Sequence, residues 1–116
     1  MLHFETQEFD SPDFPNSGIN MDNAFLQMLN DARGIAGIPF NITSGYRTKD
    51  RNKLVGGVAN SSHLVGKAAD IKVQSGNERY IIINALIKAG FKRIGVAKTF
   101  IHCDNDETKP NSIWTY

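Results

Sequence analysis

The stretch Ser61-Ser62-His63-Leu64-Val65-Gly66-Lys67-Ala68-Ala69-Asp70-Ile71-Lys72-Val73 changes character at its middle. Its first half is polar and turn-forming, as in a surface loop. Its second half, residues 68–73, is apolar enough to read as a buried strand. Asp70 interrupts that run. A carboxylate flanked by Ala68, Ala69, Ile71 and Val73 is costly to bury alone and needs a cation or several donors beside it. Gly66 lets the chain reverse, so that His63 can return toward Asp70.

A second stretch, Thr99-Phe100-Ile101-His102-Cys103-Asp104, alternates as a strand. Phe100, His102 and Asp104 then point one way, and Ile101 and Cys103 the other. Two imidazoles and a carboxylate, with one position open to water, make the ligand set of a catalytic zinc site. On spacing alone the plain alternative also stands, in which each is a hydrogen-bonded residue near a strand end.

The remaining chain frames these two stretches. Residues 1–20, with Pro12, Pro15, Ser17 and Gly18, read as an extended lead-in tacked down by Phe4, Phe9 and Phe14. Asn20 is placed to cap a helix over 21–33, with Met21, Phe25, Met28, Leu29 and Ala32 on one stripe. Gly34 and Gly37 end it, and Pro39 bars continuation. Residues 40–43 alternate as a short strand, 48–55 read as a short helix, and 58–67 as a loop. Ser75 and Glu78 have capping-box spacing for a helix over 76–89, apolar on most sides and so expected to be largely buried. Residues 91–96 and 99–103 are strands joined by Ala97-Lys98. A polar tail, 104–111, precedes a last apolar anchor, Trp114 and Tyr116. This order predicts an α+β fold, a mostly antiparallel sheet with helices packed on one face.

Composition removes several classes. The chain has 116 residues, 41% apolar and 22% charged, with a net charge of +1. That length suits a single domain, 1–116, able to fold without covalent staples. With 13 Lys+Arg against 12 Asp+Glu there is no basic footprint for nucleic acid. No apolar run approaches the ~18 residues of a membrane span. Met1-Leu2-His3-Phe4-Glu5 carries an early acid, unlike a secretory signal. The one cysteine, Cys103, excludes an internal disulfide and any zinc site of two or four cysteines.

Ser61-x-His63-x-x-Gly66-x-Ala68-x-Asp70, preceded by Ser44-Gly45-Tyr46-Arg47 and followed by Phe100-Ile101-His102-Cys103-Asp104, resembles the zinc D-Ala-D-Ala carboxypeptidase family. That family includes D,D-carboxypeptidases, D,D-dipeptidases and phage L-alanyl-D-glutamate endopeptidases. The resemblance runs from Glu8-Phe9 through Trp114 and is nearest the small single-domain branch. It implies His63, Asp70 and His102 as ligands of Zn2+, with water or the scissile carbonyl oxygen in the fourth position. Arg47 matches the family arginine that reaches the active site, where a guanidinium suits an oxyanion or a substrate carboxylate. Its alternative is a surface residue beside the 48–55 helix. Ser61 matches a residue beside the ligand loop and is implied to bond substrate, or else local backbone. The pattern departs at one place. Some branches carry an acidic general base three positions before the last histidine ligand, and here that position is Thr99. Asp104 is the acid left on the ligand face. It is the candidate base, or it orients His102.

The resemblance implies a zinc metallopeptidase that cleaves D-Ala-D-Ala or L-Ala-D-Glu bonds in peptidoglycan stem peptides, with zinc-activated water as nucleophile. The alternative is a non-catalytic zinc-binding module, since hedgehog signalling domains share this fold. A metal-free structural domain is the third reading. A monomer is expected, without nucleic-acid or membrane partners. Lacking a signal peptide, it is expected to be made in the cytoplasm and to act on the cell wall as a phage lysin or virion-associated protein.

Overall fold

Strand alternation divides the sheet into a core face and a cleft face. In a computed structural model, which describes residues 2–116, five strands form one sheet. They are β1 (Ile42–Ser44), β2 (Ala68–Lys72), β3 (Arg93–Val96), β4 (Phe100–Asp104) and β5 (Ser112–Thr115), in spatial order β1-β2-β4-β3-β5. All neighbours are antiparallel except β3 and β5, which run parallel. Asp70 lies opposite His102, Ala68 opposite Asp104, and Gly95 opposite both His102 and Trp114. Residues of the other parity, Ala69, Ile71, Ile94, Ile101 and Cys103, are all at most 1% exposed and form the core face. The expected α+β class therefore holds, with a mixed sheet. The strand not foreseen is β5, which lies in the tail beyond the polar residues.

Two long helices, α1 (Asn23–Ala36) and α3 (Gly76–Lys88), cover the core face. Phe25, Leu29 and Ala32 of α1 meet Ile82 and Leu86 of α3 over the sheet. The short α2 (Lys49–Leu54) puts no residue into this core. The cap of α1 is Asp22, whose Oδ2 accepts the Phe25 N–H at 2.9 Å. Asn20 does not cap it, because residues 17–20 first make a 3-10 turn. The helix runs through Gly34, a cost of about 1 kcal/mol that packing absorbs, and stops at Gly37 with φ +68°. Ser75 caps α3 as expected, its Oγ accepting the Glu78 N–H at 3.1 Å. The expected deep burial of α3 is corrected: Tyr80 is 69% and Ile87 51% exposed. One sheet and one neighbouring helix can cover only one side of it.

The lead-in is built, not merely extended. It makes 3-10 turns at Thr6–Phe9 and Ser17–Asn20. Phe4 and Phe9 are buried with ring centroids 5.5 Å apart, while Phe14, expected to pack, is exposed. Phe9 lies so close beneath Gly45 that a Cβ there would sit 2.7 Å from the Phe9 Cα. The Tyr46 N–H donates to the Phe9 carbonyl at 2.9 Å. Among the described residues, no helix is long and apolar enough to cross a membrane.

The loop after β4 is held by Asp106. Its Oδ1 accepts from Thr108 N–H at 3.1 Å and Thr108 Oγ1 at 2.6 Å, and its Oδ2 from Ser62 Oγ at 2.7 Å. Burial pushes this carboxyl up, but the Thr108 and Ser62 hydroxyls outweigh it and hold it at about 2. A carboxylate held below its usual 3.8 stabilises the fold above that value and stops doing so as pH falls through about 2. Asp106→Asn is expected to cost about 1–3 kcal/mol near neutral pH. In thermal melts the gap to the parent should close between about pH 4 and pH 2. A gap that stays constant over that range would refute this role.

Candidate metal centre

Asp70 and His102 are cross-strand partners on β2 and β4, so the sheet itself sets them face to face. His63 reaches them from a 3-10 turn, Ser62–Val65, started by Ser61 Oγ accepting the His63 N–H at 3.2 Å. Gly66 closes that turn at φ +70°. A Cβ there would lie 2.3 Å from the Asn20 carbonyl oxygen, so the reversal needs glycine for conformation and for space. One ligand atom from each of His63, Asp70 and His102 lies within 4.8 Å of the others, and all three residues are buried.

The hydrogen bonds decide which atoms face inward. His63 Nδ1–H donates to the Gly45 carbonyl at 2.7 Å. A carbonyl only accepts, so Nδ1 carries hydrogen and Nε2 is the nitrogen turned inward, 3.4 Å from Asp70 Oδ1. His102 lies between two carboxylates, with Nε2 2.7 Å from Asp104 Oδ2 and Nδ1 3.0 Å from Asp70 Oδ1. Burial pushes the His102 imidazole down, but Asp104 and Asp70 on its two nitrogens outweigh it and the net direction is up. Burial likewise pushes the Asp70 carboxyl up, and the two imidazoles more than reverse this, holding it well below the usual carboxylate range. The cluster calls for positive charge at its centre. A proton on His102 Nδ1 supplies one unit, whereas a divalent cation would meet all three donors at once. Two imidazole nitrogens and a carboxylate oxygen fit zinc.

Around this centre lies an open cleft of about 400 Å³. Residues 55–58 form one wall, and Phe100, Trp114 and Tyr116 the other. Arg47 lines this cleft, and each of its three nitrogens has one partner. Nε donates to Ser44 Oγ at 3.1 Å, Nη1 to Asn52 Oδ1 at 3.2 Å, and Nη2 lies 3.5 Å from Asp70 Oδ2. Ser61 lines the cleft and is used locally, its oxygen holding the His63 N–H. Asp104 lies beside His102 at the edge of the cluster. Its Oδ2 faces His102, and its Oδ1 accepts from Arg93 Nε at 2.8 Å and the Asp106 N–H at 3.2 Å. Both of its oxygens therefore have partners, at 1% exposure. Thr99 is exposed and does not line the cleft. Cys103 sits in the core, where burial pushes its thiol up.

Three contributors were not foreseen: the Gly45 carbonyl, Asn52 and Arg93. The first is backbone and leaves no side-chain signal. Asn52 looks like any polar residue of a short helix. Arg93 shares strand parity with Gly95, and a glycine inside a strand marks close approach of another group.

His63→Ala and Asp70→Ala are each expected to lower bound zinc from about one equivalent to below about half, measured by metal analysis after desalting. Cys103→Ala should keep the full amount. Equal zinc in all three variants would exclude this centre.

A search of the curated proteins returned no match to the chain. A model of the family described as Peptidase M15, whose members are zinc-dependent, matches residues 3–104. The matched segment contains the whole centre from Ser44 to Asp104, leaving β5 beyond it. With most of its length matched and the metal-binding geometry inside the match, the chain belongs to the Peptidase M15 family.

Proposed function

We propose that this chain is a zinc metallopeptidase that hydrolyses peptide bonds in peptidoglycan stem peptides, at D-Ala-D-Ala or L-Ala-D-Glu. The observation that carries the proposal is Asp70 Oδ1 meeting the inward nitrogens of His63 and His102 at the base of an open cleft. Zinc held there would lower the pKa of a bound water to about 7 and polarise the scissile carbonyl. His63, Asp70 and His102 are the residues that would hold it. The Gly45 carbonyl and Asp104 each hold the outer nitrogen of their histidine, which turns the inner nitrogen toward the centre. Arg47 engages the second oxygen of Asp70, leaving Oδ1 to the centre. Ser61 still has its hydroxyl proton to donate to a substrate carbonyl. The substrate is a cell-wall peptide, which sets the cell wall as the place of action, as for a lysin.

A second reading, a zinc-binding module without turnover, is favoured by one observation. The carboxylates lining the cleft are Asp70 and Asp104, and both are engaged. A general base contributes about 10²–10⁴-fold to rate, so its absence predicts slow hydrolysis at best.

Mass spectrometry of muropeptides after incubation separates the two. Hydrolysis should release D-Ala or separate L-Ala from D-Glu, stop with a chelator and return with added zinc. Unchanged muropeptides with folded, zinc-loaded protein would defeat the hydrolase and leave the binding module. Asp104→Asn tests the role of that residue. As an orienting group its loss should weaken zinc binding by about 10–100-fold, whereas loss of a base would cut kcat at unchanged zinc content.

A further inference from the structure

We propose that Arg93 and Trp114 are positioning residues for His102, with Trp114 working from a slot that Gly95 leaves open in the sheet. This rests on the zinc assignment above, not on hydrolysis. The side chain that orients His102 is Asp104, and a lone carboxylate can rotate. Arg93 stops it: Nε donates to Asp104 Oδ1 at 2.8 Å and offsets the charge of a carboxylate that is 1% exposed. Arg93 is itself a long and flexible arm. Its Nη1 donates to the Pro110 carbonyl, and its guanidinium carbon lies 4.9 Å from the Trp114 ring centroid, in cation–π range. The same indole lies against the His102 ring, with centroids 5.3 Å apart.

One ring therefore supports both ends of the His102–Asp104–Arg93 relay. It can do so because its sheet neighbour is glycine. Gly95 sits between His102 on β4 and Trp114 on β5. A Cβ at Gly95 would fall 2.7 Å from Trp114 Nε1 and 2.8 Å from Cε2. Any larger residue would push the indole out from the sheet and away from the histidine. The relay ends on two strands rather than on mobile side chains, so His102 is oriented before a metal arrives. β5 lies beyond the family-matched segment, which makes this support a feature of the C-terminal strand.

The chain has a single tryptophan, so its fluorescence reports this site directly. Zinc titrated into the whole chain should change that emission and saturate at about one equivalent. Zinc affinity, read by competition with a chromophoric chelator, should fall by about 10–100-fold in Arg93→Gln, Trp114→Ala and Gly95→Ala. Trp114→Phe keeps a flat ring in the slot and should recover most of the loss. Melting curves identify any variant that fails to fold, and Arg93→Gln and Trp114→Phe decide the matter if Trp114→Ala does. Folded Arg93→Gln with parental affinity would overturn the inference, as would zinc binding that leaves the emission unchanged. A parent that binds no zinc overturns the metal assignment and this inference together. A parent that binds zinc but cleaves nothing, with the variants weakened, supports the inference and removes only the hydrolase.

Discussion

A buried carboxylate between two imidazole nitrogens needs compensating positive charge or donated hydrogens beside it. Asp70 is in that position, with His63 and His102 converging on one oxygen and Arg47 on the other. Much of the surrounding structure serves to supply or direct that charge. The Gly45 carbonyl and Asp104 act from outside on the two rings, each holding the outer nitrogen of its histidine. Asp104 is held in turn by Arg93 and the Asp106 N–H, and Asp106 ties the same loop to Ser62, next to His63.

The support below the centre comes from an unexpected part of the chain. Phe9 presses on Gly45, so the carbonyl that holds His63 is set by the lead-in. Asn20 and Met21 pack against Gly66, and the Asp22 N–H donates to the Gly66 carbonyl at 2.9 Å. The turn carrying His63 is thereby pinned to the start of α1. The lead-in buries Phe4, Phe9, Ser11 and Ser17, and through Gly45 and Gly66 it supports the segments on either side of His63.

The committed donors also bear on chemistry. Asp104 has both oxygens engaged by neighbours, and Arg47 spends three of its five N–H donors on them. The centre is well organised to hold a metal and sparsely supplied with free acids and bases. That imbalance is why hydrolase and binding module diverge in expected rate more than in expected zinc affinity.

Local chemistry read along the chain determined much of this protein. Period-two alternation in 68–73 and 99–104 put Asp70, His102 and Asp104 on one face and Cys103 in the core, because side-chain direction in a strand depends only on parity. Gly66 marked the reversal that brings His63 in, and Ser75 with Glu78 marked a helix start, because turn and cap chemistry is local. The family resemblance rested on those same residues. Tertiary structure alone decided what each polar group touches. Asp104 is paired with Arg93 because β3 brings that residue opposite it, and Trp114 reaches His102 because β5 adds in parallel beside Gly95. Such partners depend on register between strands far apart in the chain, and a tail that reads as polar does not reveal that its last residues will complete a sheet.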